Sequence, residues 1–576
     1  MIQFYNVIRK FNGMDIKKAV VEVLIVFIVG ALIGSVLAVV SNLFVEGVDF
    51  LSNIRGNFNL LEVTIGEASF NFAPVMFLVC AAAIVVIIRN LLKIQKWAGP
   101  ADAMYAAHQV QEPLDLKRGF GSTLAAFTSA CGGASVGQYG PLVHFGATIG
   151  IWVKRFMTSR FSHDVYLGCG VAAAISAGFN APIAGVIFAH EAVLRHFSLR
   201  AIAPIIVASV TASALGTSLF PGASSFEVAF NVPALAKMVP ALVILAPFFA
   251  LVAILFMWSL RKAATLPTAF AISPNVSPFV AAFICGSVGI WVPEILGLGL
   301  SAMNSMIAGQ FTIELLVTVL ILKIMMTSLC IGFGLFGGVF SPALFVGIAA
   351  GALASQLSVL LGLSDLSNIL SIAGMAAVAS SVIGAPISAI LIVLELTRSY
   401  ECAVAAMLSV TICSLITLRL FGNSFFDRQL LDRSIDLRKG REAIALGQKT
   451  VGPLATGDFI KVAKNDTGHQ VLKLLKEAEQ TEAYVINETG ILIGKLDIHS
   501  LIEAGDGKVA DFVDKKPVVL LTEESLQSAM VKVSTFVGES LPIVFPEDNR
   551  LKGTITEGDL FQAVIEVQKM ARDLER

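Results

Sequence analysis

Charge is what this sequence has least of. Only 14% of its 576 residues are Asp, Glu, Lys or Arg, against about 25% in an ordinary soluble protein. The 41 basic and 42 acidic residues leave a formal net charge of −1, so no basic field is available for a nucleic-acid partner. Cysteine is sparse and scattered: Cys80, Cys131, Cys169, Cys285, Cys330, Cys402 and Cys413 form no CxxC pair and no metal-ligand spacing. They read as small buried hydrophobes rather than a redox or metal centre. His190-Glu191 begins the pattern of an intramembrane zinc protease. Leu194 stands where the second histidine is required, however, and His196 is off that helix face; no enzyme is expected.

Apolar residues fill the chain instead. They make up 56% of it, and the mean hydropathy is +0.80. Val20–Val45, Phe72–Leu92, Ile202–Phe220, Val239–Leu260 and Leu315–Ile331 each approach or exceed the roughly 20 residues that span a bilayer. The composition predicts a polytopic α-helical membrane protein. A cleavable signal peptide is not expected, because the first apolar run is too long and no small-residue cleavage pattern stands out.

One stretch departs from plain spanning helix. Residues 131–150, CGGASVGQYGPLVHFGATIG, hold six glycines and one proline. Dense glycine lets backbone N–H groups approach a ligand, and Pro141 just after a glycine suits a helix start. A helix that starts inside the membrane presents unpaired N–H groups and the positive end of its dipole, which suits an anion. The pattern recurs about 200 residues on: Pro141, Gly146 and Gly150 match Pro342, Gly347 and Gly351 in the same P-x4-G-x3-G spacing. Asn180-Ala181-Pro182-Ile183, leading an apolar run to Glu191, likewise matches Gly384-Ala385-Pro386-Ile387 and Glu395. Matched, interrupted segments in two halves point to a midplane site between inverted repeats.

Taken in order, Arg9, Lys10, Lys17 and Lys18 precede the first apolar run, which puts the N-terminus in the cytoplasm by the positive-inside rule. Spans are expected at 20–45 and 72–92, then a basic loop with Lys93, Lys96, Lys117 and Arg118. A broken region runs from 119 to about 191, the kind of backbone tolerated at membrane depth only inside protein or along a water-filled path. A span at 202–220 closes the first repeat, about 20–220, and one at 236–260 opens the second, about 236–430. The second is expected to hold spans at 277–300 and 311–331, a broken 332–361, then 366–395 and 401–421. Residues 431–449 read as a polar linker. Residues 450–576 read as a soluble α/β domain in which helix, strand, strand, helix occurs twice.

These residues resemble the CLC family of chloride channels and proton-coupled chloride exchangers. GVFSP at 338–342 matches the family's GxFxP signature. GFNAPIAGVIFAHE at 178–191 and APISAILIVLELT at 385–397 resemble its post-motif helices. GQYGP at 137–141 stands where the family has GREGP, and Ala98-Gly99-Pro100 where it has GSGIP. The tail resembles a tandem CBS pair. The resemblance implies a CLC fold with two inverted-topology repeats and broken re-entrant helices over 1–430, and a homodimer with one pore per subunit. It also implies dehydrated anions held near the midplane by helix N-termini. An isolated ion in hydrocarbon costs on the order of 20 kcal/mol and a single helix end offers about 0.3–2 kcal/mol. Four broken segments are therefore expected to converge.

Set beside that family, the chain departs at three places. The GREGP glutamate, which competes with chloride and carries protons, is here Tyr139, a phenol neutral at ordinary pH that can donate to an anion or block its path. The second exchanger glutamate falls at Ala192, which holds no proton; Glu191 and His190 are the conceivable substitute relay, with a helix-end role expected for Glu191. The inner-gate serine falls at Trp97, or at Ala98 by a local slip, and the pore tyrosine at Phe426 or Phe425. Anion contact is then expected to fall mainly on backbone amides, at Val339 and Phe340 above all, with Gln138, Gly140, Ala98 and Gly99 along the path. In the tail, Thr556 and Asp559 fit the CBS nucleotide pattern, so an adenine nucleotide is a conceivable ligand there. Asp497 and Ser500 invert that pattern in the first repeat. The sequence thus predicts a passive, voltage-driven chloride channel without proton coupling, with chloride/proton antiport as the competing reading. It is expected in the inner membrane, multi-pass, with both termini cytoplasmic.

Overall fold

The computed structural model describes residues 16–575 apart from 59–60, 66–67, 110–113, 158–160, 198, 222–234 and 361–366. Arg9 and Lys10 of the N-terminal basic cluster lie outside the described residues. The chain forms two compact units that part between Ile435 and Asp436.

The first unit opens with α1, Ile16–Gly56, a hairpin of β1 (Glu62–Ile65) and β2 (Ala68–Asn71), and α2, Ala73–Leu92. Then follow α3 (Pro100–His108), α4 (Leu116–Gly132), α5 (Tyr139–Phe156), α6 (His163–Phe179) and α7 (Pro182–Phe188), which runs into a π-helical turn, Ala189–Leu194; α8, Leu199–Leu219, closes the first repeat. The second repeat has α9 (Leu235–Ala269), α10 (Ser277–Trp291), a 3₁₀ turn at Pro293–Ile295, and α11 (Leu300–Ile307). It continues with α12 (Ile313–Gly332), α13 (Phe340–Leu360), α14 (Ser367–Ile383), α15 (Pro386–Thr397), α16 (Tyr400–Leu420) and α17 (Phe425–Leu431). Seven described helical stretches are long and apolar enough to cross a membrane.

Several expected boundaries move for local reasons. The first span runs on to Gly56 rather than ending near 45. The span expected at 277–300 stops at Trp291, because Pro293 disfavours α geometry for Val292 (φ −132°). The break expected over 332–361 is confined to 333–339, after which α13 is continuous. The stretch expected as one span at 366–395 is two helices over the described residues, since Gly384 takes a left-handed φ of +81° and Pro386 keeps Ala385 out of the α region, at φ −132° and ψ 73°. Asn180 (φ 51°) and Pro182 make the same corner in the first repeat.

The duplicated glycines are where paired helices touch. A Cβ on Gly146 would lie 2.2 Å from the carbonyl oxygen of Gly170, and one on Gly150 2.1 Å from that of Tyr166. In the second repeat a Cβ on Gly347 would lie 2.5 Å from the Gly374 oxygen, and one on Gly351 2.1 Å from that of Leu370. Thus α5 on α6 and α13 on α14 pack backbone to backbone, the mode small residues permit between membrane helices.

The second unit begins inside the stretch expected to be linker: α18 is Gly440–Gln448, and its Ala445 joins a hydrophobic core with Leu520, Leu541 and Ile555. The unit then has β3 (Ile460–Val462), α19 (Gly468–Ala478), β4 (Glu482–Ile486), β5 (Leu492–Asp497), α20 (Ile498–Ala504), β6 (Leu520–Leu521), α21 (Leu526–Val533), β7 (Ser540–Val544), β8 (Leu551–Thr556) and α22 (Glu557–Glu575). Two three-stranded sheets share one plan: β3 pairs parallel with β4 and β4 antiparallel with β5, and β6, β7 and β8 repeat it. Each has its own core, the other centred on Val471, Val485 and Leu496.

Candidate anion path

The two duplicated motifs meet at their helix starts. Gly137 and Gly338 exchange backbone hydrogen bonds, N–H to O=C, at 2.7 and 2.6 Å. A Cβ on Gly140 would sit 2.9 Å from the Gly338 Cα, so α5 and α13 begin side by side. Pro141 and Pro342 occupy the third helical position of their respective helices, where a missing N–H loses nothing. Among the described residues, the N–H groups of Tyr139 and Gly140 and those of Val339 and Phe340 have no protein acceptor. These four amides and two positive dipole ends form the concentration of donors that an anion needs.

The other two duplicated helix starts are used differently. Glu395, at the end of α15, accepts from the amides of Ile183 and Ala184 at 2.9 and 2.8 Å. Glu191 accepts from the amides of Ile387 and Ser388, both at 2.8 Å, and from Ser388 Oγ at 2.6 Å. Each repeat's glutamate therefore caps the other repeat's helix. The expected convergence of four free ends is corrected to two, because carboxylates already occupy the starts of α7 and α15 and satisfy their orphan donors.

Tyr139 stands at the free start of α5 with its ring stacked on Phe179, centroids 3.8 Å apart and planes inclined by 21°. Phe340 meets it edge-on at 5.5 Å, and Phe179 and Phe188 pack on Phe340 at 5.2 and 6.2 Å. All four are buried. Sequence reasoning singled out Tyr139 and Phe340 but missed Phe179 and Phe188. Phe179 sits within the GFNAP motif; only the corner at Asn180 brings it under the tyrosine.

Gln138 is buried, and its Oε1 has no partner among the described residues. Ser341 Oγ is likewise buried and unpartnered, one turn position beyond Phe340. Ser341 belongs to GVFSP, but nothing local in that motif marks its hydroxyl as unpaired. The amides of Ala98 and Gly99, by contrast, are already taken: Ala98 N–H donates to Ser122 Oγ at 2.9 Å and Gly99 N–H to Asp102 Oδ2 at 2.9 Å. Trp97 packs on Phe336 at 5.8 Å, its carbonyl accepting from Arg118 Nη2 at 3.2 Å. Phe425 and Phe426 are buried at the start of α17 with their rings 5.8 Å apart. Among the described residues these two rings meet each other and not the Tyr139 cluster.

Of the substitute-relay residues, Ala192 is buried and Glu191 is committed to its cap. His190 is buried, its Nδ1 2.9 Å from the His196 carbonyl and its ring stacked on Phe197 at 5.0 Å. In the tail, Thr556 and Asp559 hydrogen-bond one another at the start of α22: Thr556 Oγ1 to Asp559 Oδ2 at 2.7 Å, and Asp559 N–H to Thr556 Oγ1 at 3.1 Å. Asp497 and Ser500 make the same cap on α20 with the roles exchanged, Ser500 N–H donating to Asp497 Oδ1 at 2.7 Å. Among the described residues no cluster of His, Cys, Asp and Glu has the makings of a metal site.

Residues 80–418 match the family model described as voltage gated chloride channel, and 509–566 match that of the CBS domain. A ClcB-like chloride channel protein of Ralstonia nicotianae is 28% identical over 54% of this chain and 76% of its own length. The H(+)/Cl(-) exchange transporter ClcA of Vibrio parahaemolyticus is 28% identical over 54% of this chain and 68% of its own. Among solved structures, a slow cyanobacterial Cl⁻/H⁺ antiporter aligns with TM-score 0.61 at 21% identity, covering 71% of this chain and 97% of that one. A eukaryotic CLC transporter aligns with TM-score 0.61 at 17% identity over 93% of this chain and 97% of that one. The fold is that of these structures, and with 339 of its residues (80 to 418) inside the family model, the chain belongs to the voltage gated chloride channel family of anion transport proteins and carries a C-terminal CBS region.

Proposed function

We propose that this protein moves chloride, or a similarly small anion, passively along the membrane potential and without proton coupling. The observation that carries the reading is the fate of the carboxylates. The α5 start offers a phenol stacked in an aromatic cluster, Ala192 has no titratable group, and Glu191 spends both oxygens on three hydrogen bonds across the repeats. Each charge moved is worth about 2.3 kcal/mol per 100 mV, enough to drive flux with no second ion. Anion contact would come from the amides of Val339, Phe340, Tyr139 and Gly140, aided by Gln138 and the Ser341 hydroxyl, with Phe426 lining the inner approach. The protein would work as a homodimer in the plasma (inner) membrane with both termini cytoplasmic. The CBS pair would be regulatory, with an adenine nucleotide near Thr556 and Asp559.

Chloride/proton antiport is favoured by the likeness to an exchange transporter. It would have to run through His190, whose buried Nε2 lacks a partner among the described residues. Chloride flux from proteoliposomes, with external pH recorded, separates the two. Chloride movement without proton countermovement is the expected result. Protons driven uphill by a chloride gradient would establish antiport.

A further inference from the structure

Three lysines that the candidate path does not use stand where the end of α2 meets the start of α4. The apolar span of α2 ends at Leu92, so Lys93 marks the level at which this helix leaves the hydrocarbon. Lys96 and Lys117 flank the same spot. A Cβ on Gly121 of α4 would meet the Cδ1 atoms of Ile94 and Leu92 at 2.5 and 2.6 Å, so the two segments are packed tightly. All three lysines are exposed, and among the described residues none has a carboxylate within 4 Å.

With Arg118 and Arg433 these lysines line a cavity of about 340 Å³. Asp115 is the one acidic residue in its wall among those described, and its Oδ1 is spent on the Lys117 amide at 2.9 Å, capping α4. Behind the wall Asp102 accepts from Arg433 Nη1 at 2.9 Å and lies 3.7 Å from Arg118 Nη2. Arg118 Nε also donates to the Lys96 carbonyl at 2.8 Å. The guanidiniums are thus held in place while the ammonium groups stay unpaired. A second cavity, of about 410 Å³, adjoins the first and shares Lys93, Ile94 and Gln95 with it. Arg89, Asn90, Ser273 and Asn275 also line it, with no acidic residue among those described. Arg89 donates to the carbonyls of Pro274 and Gln95 at 2.9 and 3.1 Å, tying the turn between α9 and α10 to the end of α2. Apolar seams lead away from these cavities along the helices: Ile84, Ile87 and Leu91 are exposed on one face of α2, and Phe120 and Leu124 on one face of α4.

We propose that the paired cavities bind the headgroup of an anionic phospholipid with two phosphodiesters, of the diphosphatidylglycerol class. One phosphate faces Lys96 and Lys117, the other faces Arg89, and Lys93 stands between them. Two adjoining cationic lobes match two phosphates, and the charge-assisted hydrogen bonds that lysine and arginine give to phosphate are the strong kind. The acyl chains lie along the seams of α2 and α4, which a soluble polyanion would leave unused. Basic pockets between membrane helices at headgroup level are the usual form of such recognition. The site stands apart from the anion path, and the proposal does not depend on how, or whether, anion flux is coupled to protons.

The test titrates lipid into the full-length protein, delipidated in a neutral detergent, and counts bound molecules by native mass spectrometry. Diphosphatidylglycerol is compared with phosphatidylcholine, and wild type with Lys93→Gln, the triple Lys93→Gln/Lys96→Gln/Lys117→Gln variant, and Lys262→Gln, which removes an exposed cation from α9. Each cation beside an anionic headgroup contributes about fivefold in affinity, the equivalent of about 1 kcal/mol. Diphosphatidylglycerol is therefore expected to bind wild type about tenfold or more tightly than phosphatidylcholine, about fivefold less tightly to Lys93→Gln and about a hundredfold less tightly to the triple variant. Lys262→Gln should match wild type. The substituted lysines are exposed and unpaired, so every variant should unfold at the wild-type temperature. Equal binding of the two lipids, or equal weakening by Lys262→Gln and Lys93→Gln, would overturn the proposal. The deacylated headgroup separates a lipid from a free phosphate: if it binds as tightly as the intact lipid, the assignment to a lipid fails.

Discussion

Replacing Glu191 with glutamine separates a cap from a proton carrier. In wild type its carboxylate takes three donors at 2.6 to 2.8 Å, two of them orphan amides at the start of α15. Glutamine keeps one acceptor and turns an NH₂ toward a donor. One hydrogen bond is lost with its donor left stranded, about 1–3 kcal/mol, and the others fall from charge-assisted to neutral strength, about 1 kcal/mol each. The favourable charge–dipole term, about 0.3–1 kcal/mol, goes as well. Since one of the amides is exposed, a net loss of about 3 kcal/mol is expected. Glu395→Gln should cost slightly less, because Glu395 takes two donors rather than three. Thermal unfolding of the detergent-solubilised protein, followed by tryptophan fluorescence, should show both variants several degrees below wild type. The chloride-to-proton stoichiometry should be unchanged in each. A Glu191→Gln protein as stable as wild type but altered in proton movement, beside an unaffected Glu395→Gln, would refute the cap.

Tyr139→Ala removes a ring from a four-membered aromatic cluster and should raise chloride flux in a proteoliposome assay, while Tyr139→Phe, which keeps the stack on Phe179, should stay near wild type. Gly146→Ala and Gly347→Ala would force a methyl to 2.2 and 2.5 Å from the facing carbonyl oxygens; both are expected to lose the monodisperse peak in size-exclusion chromatography. In the tail, the Ser500 backbone N–H and then its hydroxyl hold the Asp497 carboxyl below its usual range. A depressed carboxylate stabilises above its unfolded pKa of about 3.9, and that contribution fades as pH falls through the lower folded value. The stability difference between wild type and Asp497→Asn, read by denaturant unfolding of the tail signal, should therefore be constant above about pH 5 and vanish in acid.

The parts of this fold that were legible in the sequence are those set by local chemistry. Pro141 and Pro342 marked two helix starts because proline is tolerated there and glycine permits close backbones, and the equal spacing of Gly146/Gly150 and Gly347/Gly351 marked the matching contacts. Strand and helix order in the tail followed from period and turn residues, although Ile460–Val462 and Leu520–Leu521 were too short to stand out. What escaped was relational. Glu191 and Glu395 were each visible at a helix end, but nothing local says that each caps the opposite repeat. Ala98 and Gly99 sat correctly in a loop, yet only the fold brings Ser122 and Asp102 to their amides. Phe179 and Phe188 look like ordinary membrane-helix residues until the corner at Asn180 turns them onto Tyr139 and Phe340.

The paired hydrogen bonds between Gly137 and Gly338 act as a rivet through the middle of the molecule. Either loop can move only by carrying the other, and neither helix start can swing away alone without leaving two backbone groups unpaired in a nearly dry interior. Opening of the path would then be a matter of light parts: an aromatic ring turning about its own χ angles rather than a domain changing place. If the proposed anion path is correct, its rate should respond to the bulk of one side chain more than to the stability of the whole.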